Sequence, residues 1–94
     1  MSLGVEIVIA QRGFVWVGYV DDSDPYMTKI INARCIRIYG TQNLGLEHLT
    51  DNGPTKNTVL DATAKCIKIH PLAIVARMEC NVNAWKNHIQ TPDL

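Results

Sequence analysis

Between Phe14 and Val20 the chain reads FVWVGYV, seven residues without a charge. In extended backbone Val15, Val17 and Tyr19 face one way, while Phe14, Trp16, Gly18 and Val20 face the other. A strand that is apolar on both faces has to be covered on both. A flat sheet with one packed side would leave half of this segment in water. Gly18 adds a constraint, because a glycine in mid-strand marks a sharp bend or a close approach of another backbone. These features fit a small sheet wrapped on itself, with a core inside and a loop or partner outside.

The flanking sequence supplies the other strands. Residues 5–10 are rich in β-branched side chains and end at Gln11-Arg12-Gly13, a tight turn with glycine where a positive φ is needed. Asp21-Asp22-Ser23-Asp24-Pro25 is an acidic turn whose proline stops the ladder. Residues 27–31 and 34–39 read as two strands, or as one strand kinked at Asn32-Ala33. Alternation returns over 65–69, breaks at His70-Pro71 and resumes over 72–80. Asn83 then caps a last helical turn over 84–88. Five or six short strands in 94 residues predict a mostly β fold, a small SH3-like or Sm-like barrel. At this length it is a single domain.

Residues 40–63 change character: they are polar and hold three of the six glycines. Leu44, Leu46 and Leu49 are expected to anchor one short helical turn, and Asp51-Asn52-Gly53-Pro54 is a turn by composition. So long a connection inside a compact domain is usually functional or an interaction segment. Gly40, Thr41, Lys56 and Thr58 bring exposed backbone N–H groups, hydroxyls and a point charge that suit an anion. Neither GxxxxGK[ST] nor GxGxxG is present. Arg37 and Tyr39 share a strand face with Cys35 just before this insertion. Arginine beside an aromatic ring can stack on a base and hold a phosphate through two N–H groups. Trp16 reads as a stacking platform, a subunit-interface anchor or ordinary core packing.

Other chemistries find little purchase. Nine basic and nine acidic residues give a formal net charge of zero, which disfavours nonspecific duplex binding. Cys35, Cys66 and Cys80 form no CxxC pair and sit in apolar strands, as expected of free thiols in a reducing cytoplasm. The start carries no basic leader, and no apolar run reaches the roughly 18 residues that span a bilayer. His48, His70 and His88 spell out no tetrahedral ligand set. Ser2 and Ser23 are not flanked as GxSxG, and most carboxylates fall in turns. No catalytic residue, metal or cofactor is expected.

The stretch NARCIRIYGTQNLGLEHLTDNGPTKNTVLD, followed by CIKIHPLAIVARMECNVNAW, resembles a family of short proteins encoded by bacteriophages and their hosts. The matching positions are Arg37, Tyr39, Gly40, Thr41, Gly45, Leu46, Gly53, Pro54, Thr58, Leu60, Asp61 and Trp85, with Tyr39 where the family usually has tryptophan. Short phage proteins of this sort include oligomeric sponges that sequester cyclic nucleotide signals and blunt host immunity. The resemblance implies a non-enzymatic homo-oligomer that binds a small nucleotide of the cyclic oligonucleotide class. Trp16 or Tyr39 would stack a base, and Arg37, Lys56, Thr41 and Thr58, with the Gly40 backbone, would hold phosphate. A core this small makes a good pocket most easily between copies. The alternative is an Sm-like or SH3-like module that binds single-stranded nucleic acid, or a host protein docked through the insertion.

Overall fold

The computed structural model describes residues 3–93. Three strands follow in succession: β1 (Gly4–Ala10), β2 (Val15–Asp21) and β3 (Thr28–Ile38). Next come α1 (Leu46–Asn52), β4 (Val59–Leu60), β5 (Ala64–Ile69), β6 (Ile74–Glu79) and α2 (Val82–Trp85), with 3-10 turns at Gln11–Gly13 and Pro71–Ala73. The fold is mostly β, as the sequence predicts. β3, β2, β1 and β6 are neighbours in that order in one antiparallel sheet, and the long β3 pairs with β5 along its first half and with β4 along its second.

The sheet has to curl. Ile69 lies opposite Thr28 at one end, whereas Ile74 lies opposite Ala10 at the other. A flat sheet would set β5 and β6 four strand spacings apart, about 19 Å sideways, and would add the shift along the strands. Five residue steps reach no more than about 18 Å even when fully extended, and here they include a 3-10 turn. No ladder joins β5 to β6 among the described residues, so the curled sheet is not closed.

Both faces of β2 are covered, and the chain covers them itself. Val5, Ile7, Val15, Val17 and Tyr19 pack beneath Leu49 of α1 and Trp85 and Ile89 from the C-terminal segment. On the other face Val8, Val20, Ile30 and Ala33 enclose a second cluster with Ile67, Ile69, Ile74 and half of Trp16. The outer layer that the sequence assigned to a loop or a partner is therefore α1 with α2. Trp85 is fully buried, and its indole N–H donates to the Leu49 carbonyl at 2.9 Å.

Gly18 is a close approach: a β-carbon there would lie 2.6 Å from Ile30 Cγ2 and 2.9 Å from the Ile31 carbonyl. Opposite it the register of β2 and β3 slips, and Asn32 adopts a φ of 54°. Residues 28–38 are thus one strand with a bulge, the kinked form of the two sequence readings. Other expectations need correction. In residues 40–63 the expected single helical turn is a seven-residue helix, and a short strand, β4, is added to it. Leu46 and Leu49 anchor that helix, but Leu44 is 55% exposed. α2 starts earlier than expected, and its cap is Asn81, whose side chain accepts from the Asn83 N–H at 3.1 Å. Leu72 lies in a 3-10 turn outside β6.

Two of the carboxylates are not idle either. Arg77 on β6 donates to both oxygens of Glu6 at 2.8 Å and to Asp22 at 2.8 and 3.0 Å, tying the outer strand to β1 and to the acidic turn. No helix among the described residues is long and apolar enough to cross a membrane.

Candidate ligand-binding face

Register decides which of the sequence-predicted residues meet. Trp16 lies opposite Cys35, so the two share a sheet face, and Arg37 follows Cys35 on that face two residues on. Continuing the same register sets Phe14 level with Arg37. Phe14 and Trp16 have ring centroids 6.3 Å apart and planes only 11° off parallel. Phe14 is 53% exposed and Tyr39, one residue past the end of β3, is 41% exposed. The Arg37 side chain is 66% exposed. The end of the curled sheet thus exposes the paired Phe14 and Trp16 rings, with Arg37 on the same face and Tyr39 following two residues on. Trp16 itself is half-buried against the inner cluster, which fixes its ring plane.

Arg37 is held. Its guanidinium meets both oxygens of Asp61, at 2.6 and 3.3 Å. The hydrogen bond from Arg37 and its charge keep the Asp61 carboxyl below its ordinary value, and the same bond raises Arg37. A depressed carboxyl contributes stability above 3.8 that fades as pH falls through the folded value. With both partners exposed to solvent, that contribution is small. NMR titration of the Asp61 side chain is expected to give a midpoint below 3.8; Arg37→Ala should return it to the ordinary range.

The insertion residues gather elsewhere and are spent on building. The Thr58 hydroxyl donates to the Tyr39 carbonyl at 2.6 Å and accepts from the Thr55 N–H at 2.8 Å. Thr55 donates its hydroxyl to the Gly40 carbonyl at 2.7 Å. Thr41 is buried, and its hydroxyl donates to Leu44 at 2.7 Å. The Thr55 and Thr58 hydroxyls therefore hold the arm 54–60 against Tyr39 and Gly40, and the Thr41 hydroxyl closes its own turn, so the donors of Thr41 and Thr58 are spent within the fold. Gly40 has a φ of 69° with the Asn57–Thr58 peptide packed against it, so it serves close approach and not anion capture. Lys56 is exposed at the tip of this arm.

Sequence reasoning missed Phe14, Arg34 and His88. Phe14 was legible as the i−2 neighbour of Trp16. Arg34 and His88 were not, because only the tertiary structure brings them together. Of the thiols, Cys80 is half-buried, and burial pushes it up to about 12, leaving it unreactive at neutral pH. No group of three or more His, Cys, Asp or Glu among the described residues is placed to hold a metal. No protein-family model, curated protein or solved structure matches the chain.

Proposed function

We propose that this chain is a non-enzymatic nucleotide-binding protein built on an SH3-like barrel. A run of three strands, an insertion, a fourth strand, a 3-10 turn and a last strand returning beside the first supports that barrel. The observation that carries the binding reading is the open row of Phe14, Trp16, Arg37 and Tyr39. Aromatic rings stack on bases, and Arg37, whose charge Asp61 already answers, keeps further N–H donors for a phosphate.

The ligand class that fits best with the phage-protein resemblance is a cyclic oligonucleotide signal, sequestered in the host cytoplasm without turnover. Assembly of copies is part of this reading. Among the described residues the unpaired edge of β5 carries Lys65 and Lys68, with Lys29 opposite Lys68; that of β6 carries Glu79, and its Arg77 is outnumbered by Glu6 and Asp22, to which it is bonded. Exposed edges of opposite charge favour a second copy, β5 against β6. Calorimetry with cyclic di- and trinucleotides is expected to give saturable heat that Trp16→Ala or Arg37→Ala weakens about tenfold or more. No heat with any of them at protein concentrations well above micromolar sinks the reading.

The openness of the aromatic row favours one other ligand, single-stranded nucleic acid. Log affinity for an oligonucleotide would then fall steeply with log salt as counterions are released, whereas a small cyclic ligand would show a shallow slope.

A further inference from the structure

On the opposite face of β3 from the aromatic row lies a notch between the arm 54–60 and the C-terminal segment. We propose that it is a second site, one that takes a phosphate monoester. The cavity measures about 550 Å³, and its basic lining is Arg34, Lys56 and His88, with apolar walls from Pro54, Val59 and Leu60 and no carboxylate. The notch is open to solvent and wider than an inorganic anion needs, and its apolar walls suit the organic body of a monoester.

Arg34 is the centre of the argument. Its Nε donates to the Asp61 carbonyl at 2.7 Å, and its terminal nitrogens donate to the carbonyls of His88 at 3.1 Å and Leu60 at 3.3 Å. Three backbone oxygens thus orient the guanidinium without neutralising it. A guanidinium has five N–H donors, so two remain beside the notch. Every ion pair among the described residues belongs to Arg37 or Arg77. The nearby Asp61 carboxylate is turned to Arg37 on the other side of the strand. Among the described residues Arg34 and Lys56 make no ion pair, and the one carboxylate that feels the Arg34 charge, Asp61, is already bonded to Arg37.

The remaining parts fit the same ligand. The turn at Lys56 is fixed by the Thr58 N–H donating to the Thr55 carbonyl at 3.1 Å. The His88 ring stands edge-on to buried Trp85, with centroids 6.2 Å apart, so it has a set place at the rim. A forked guanidinium with a mobile ammonium beside it suits a phosphate dianion better than a single carboxylate.

The test is an NMR titration of the intact protein with phenyl phosphate, with sodium chloride at matched ionic strength as the control. Saturable shifts are expected in residues 54–60, in 85–89 and at the Arg34 Nε–H, with Phe14 and Trp16 unmoved. Lys56→Ala, an exposed tip residue whose loss leaves the fold intact, is expected to weaken binding about fivefold or more, the loss of one charge-assisted contact. Shifts matched by sodium chloride, shifts equal in the Lys56→Ala protein, or no saturation at tens of millimolar would each overturn the site. Because the aromatic row is followed through its own signals, failure here is distinguishable from failure of the nucleotide reading.

Discussion

Replacing Trp85 with alanine is expected to remove about 4 kcal/mol of stability, out of the 5–15 kcal/mol that a domain of this kind possesses. The indole is completely buried between α1 and the outer face of β1 and β2, in contact with the cluster of Ile7, Val17, Leu49 and Ile89. Its removal opens a cavity and takes away the indole N–H that the Leu49 carbonyl accepts at 2.9 Å, leaving that carbonyl with the Gly53 N–H alone. Urea unfolding should show a large loss in midpoint with little change in slope. Trp85→Phe keeps most of the packing and loses the donor, so a loss of about 1–2 kcal/mol is expected for it. If Trp85→Ala cost less than 1 kcal/mol, the helices would be ornaments on the sheet and not its second layer.

Gly40→Ala is the second large effect, about 3 kcal/mol. Two costs combine. A left-handed φ of 69° penalises any residue with a β-carbon, and the new methyl group meets the Asn57–Thr58 peptide, which cannot yield cheaply. Gly13 is the internal control. Its φ is 79°, yet nothing lies within 4 Å of where its β-carbon would sit, so Gly13→Ala should cost only about 1 kcal/mol. Hydrogen exchange should locate the Gly40→Ala damage at the Thr55 and Thr58 amides. Equal losses at the two glycines would show that the arm does not press on Gly40.

The candidate site divides along the same line as these two substitutions. Arg37 and Tyr39 could be placed on one face because strand periodicity is local. Two residues per repeat put Cys35 and Arg37 on one face, and pairing Trp16 with Cys35 completed the row. The roles of Thr41 and Thr58 could not be read that way. A threonine in a polar stretch looks like a ligand donor until the chain folds back and supplies the carbonyls of Leu44 and Tyr39. Arg34 gave no signal for the same reason, since its three acceptors are 26 to 54 residues away in sequence.

The sequence by itself determined five of the six strands, an irregularity near Asn32, a special role for Gly18 and the demand that β2 be covered on both sides. All of these follow from side-chain alternation and the backbone freedom of single residues, which act over a few positions. Only the tertiary structure decided what does the covering, with α1 and α2 closing the outer face through Leu49 and Trp85. It also decided how the charges are shared, because Asp61 bonds Arg37 and leaves the hydrogen bonds of Arg34 to backbone carbonyls. Burial and charge pairing depend on which distant segments meet, and no local pattern along a chain carries that information.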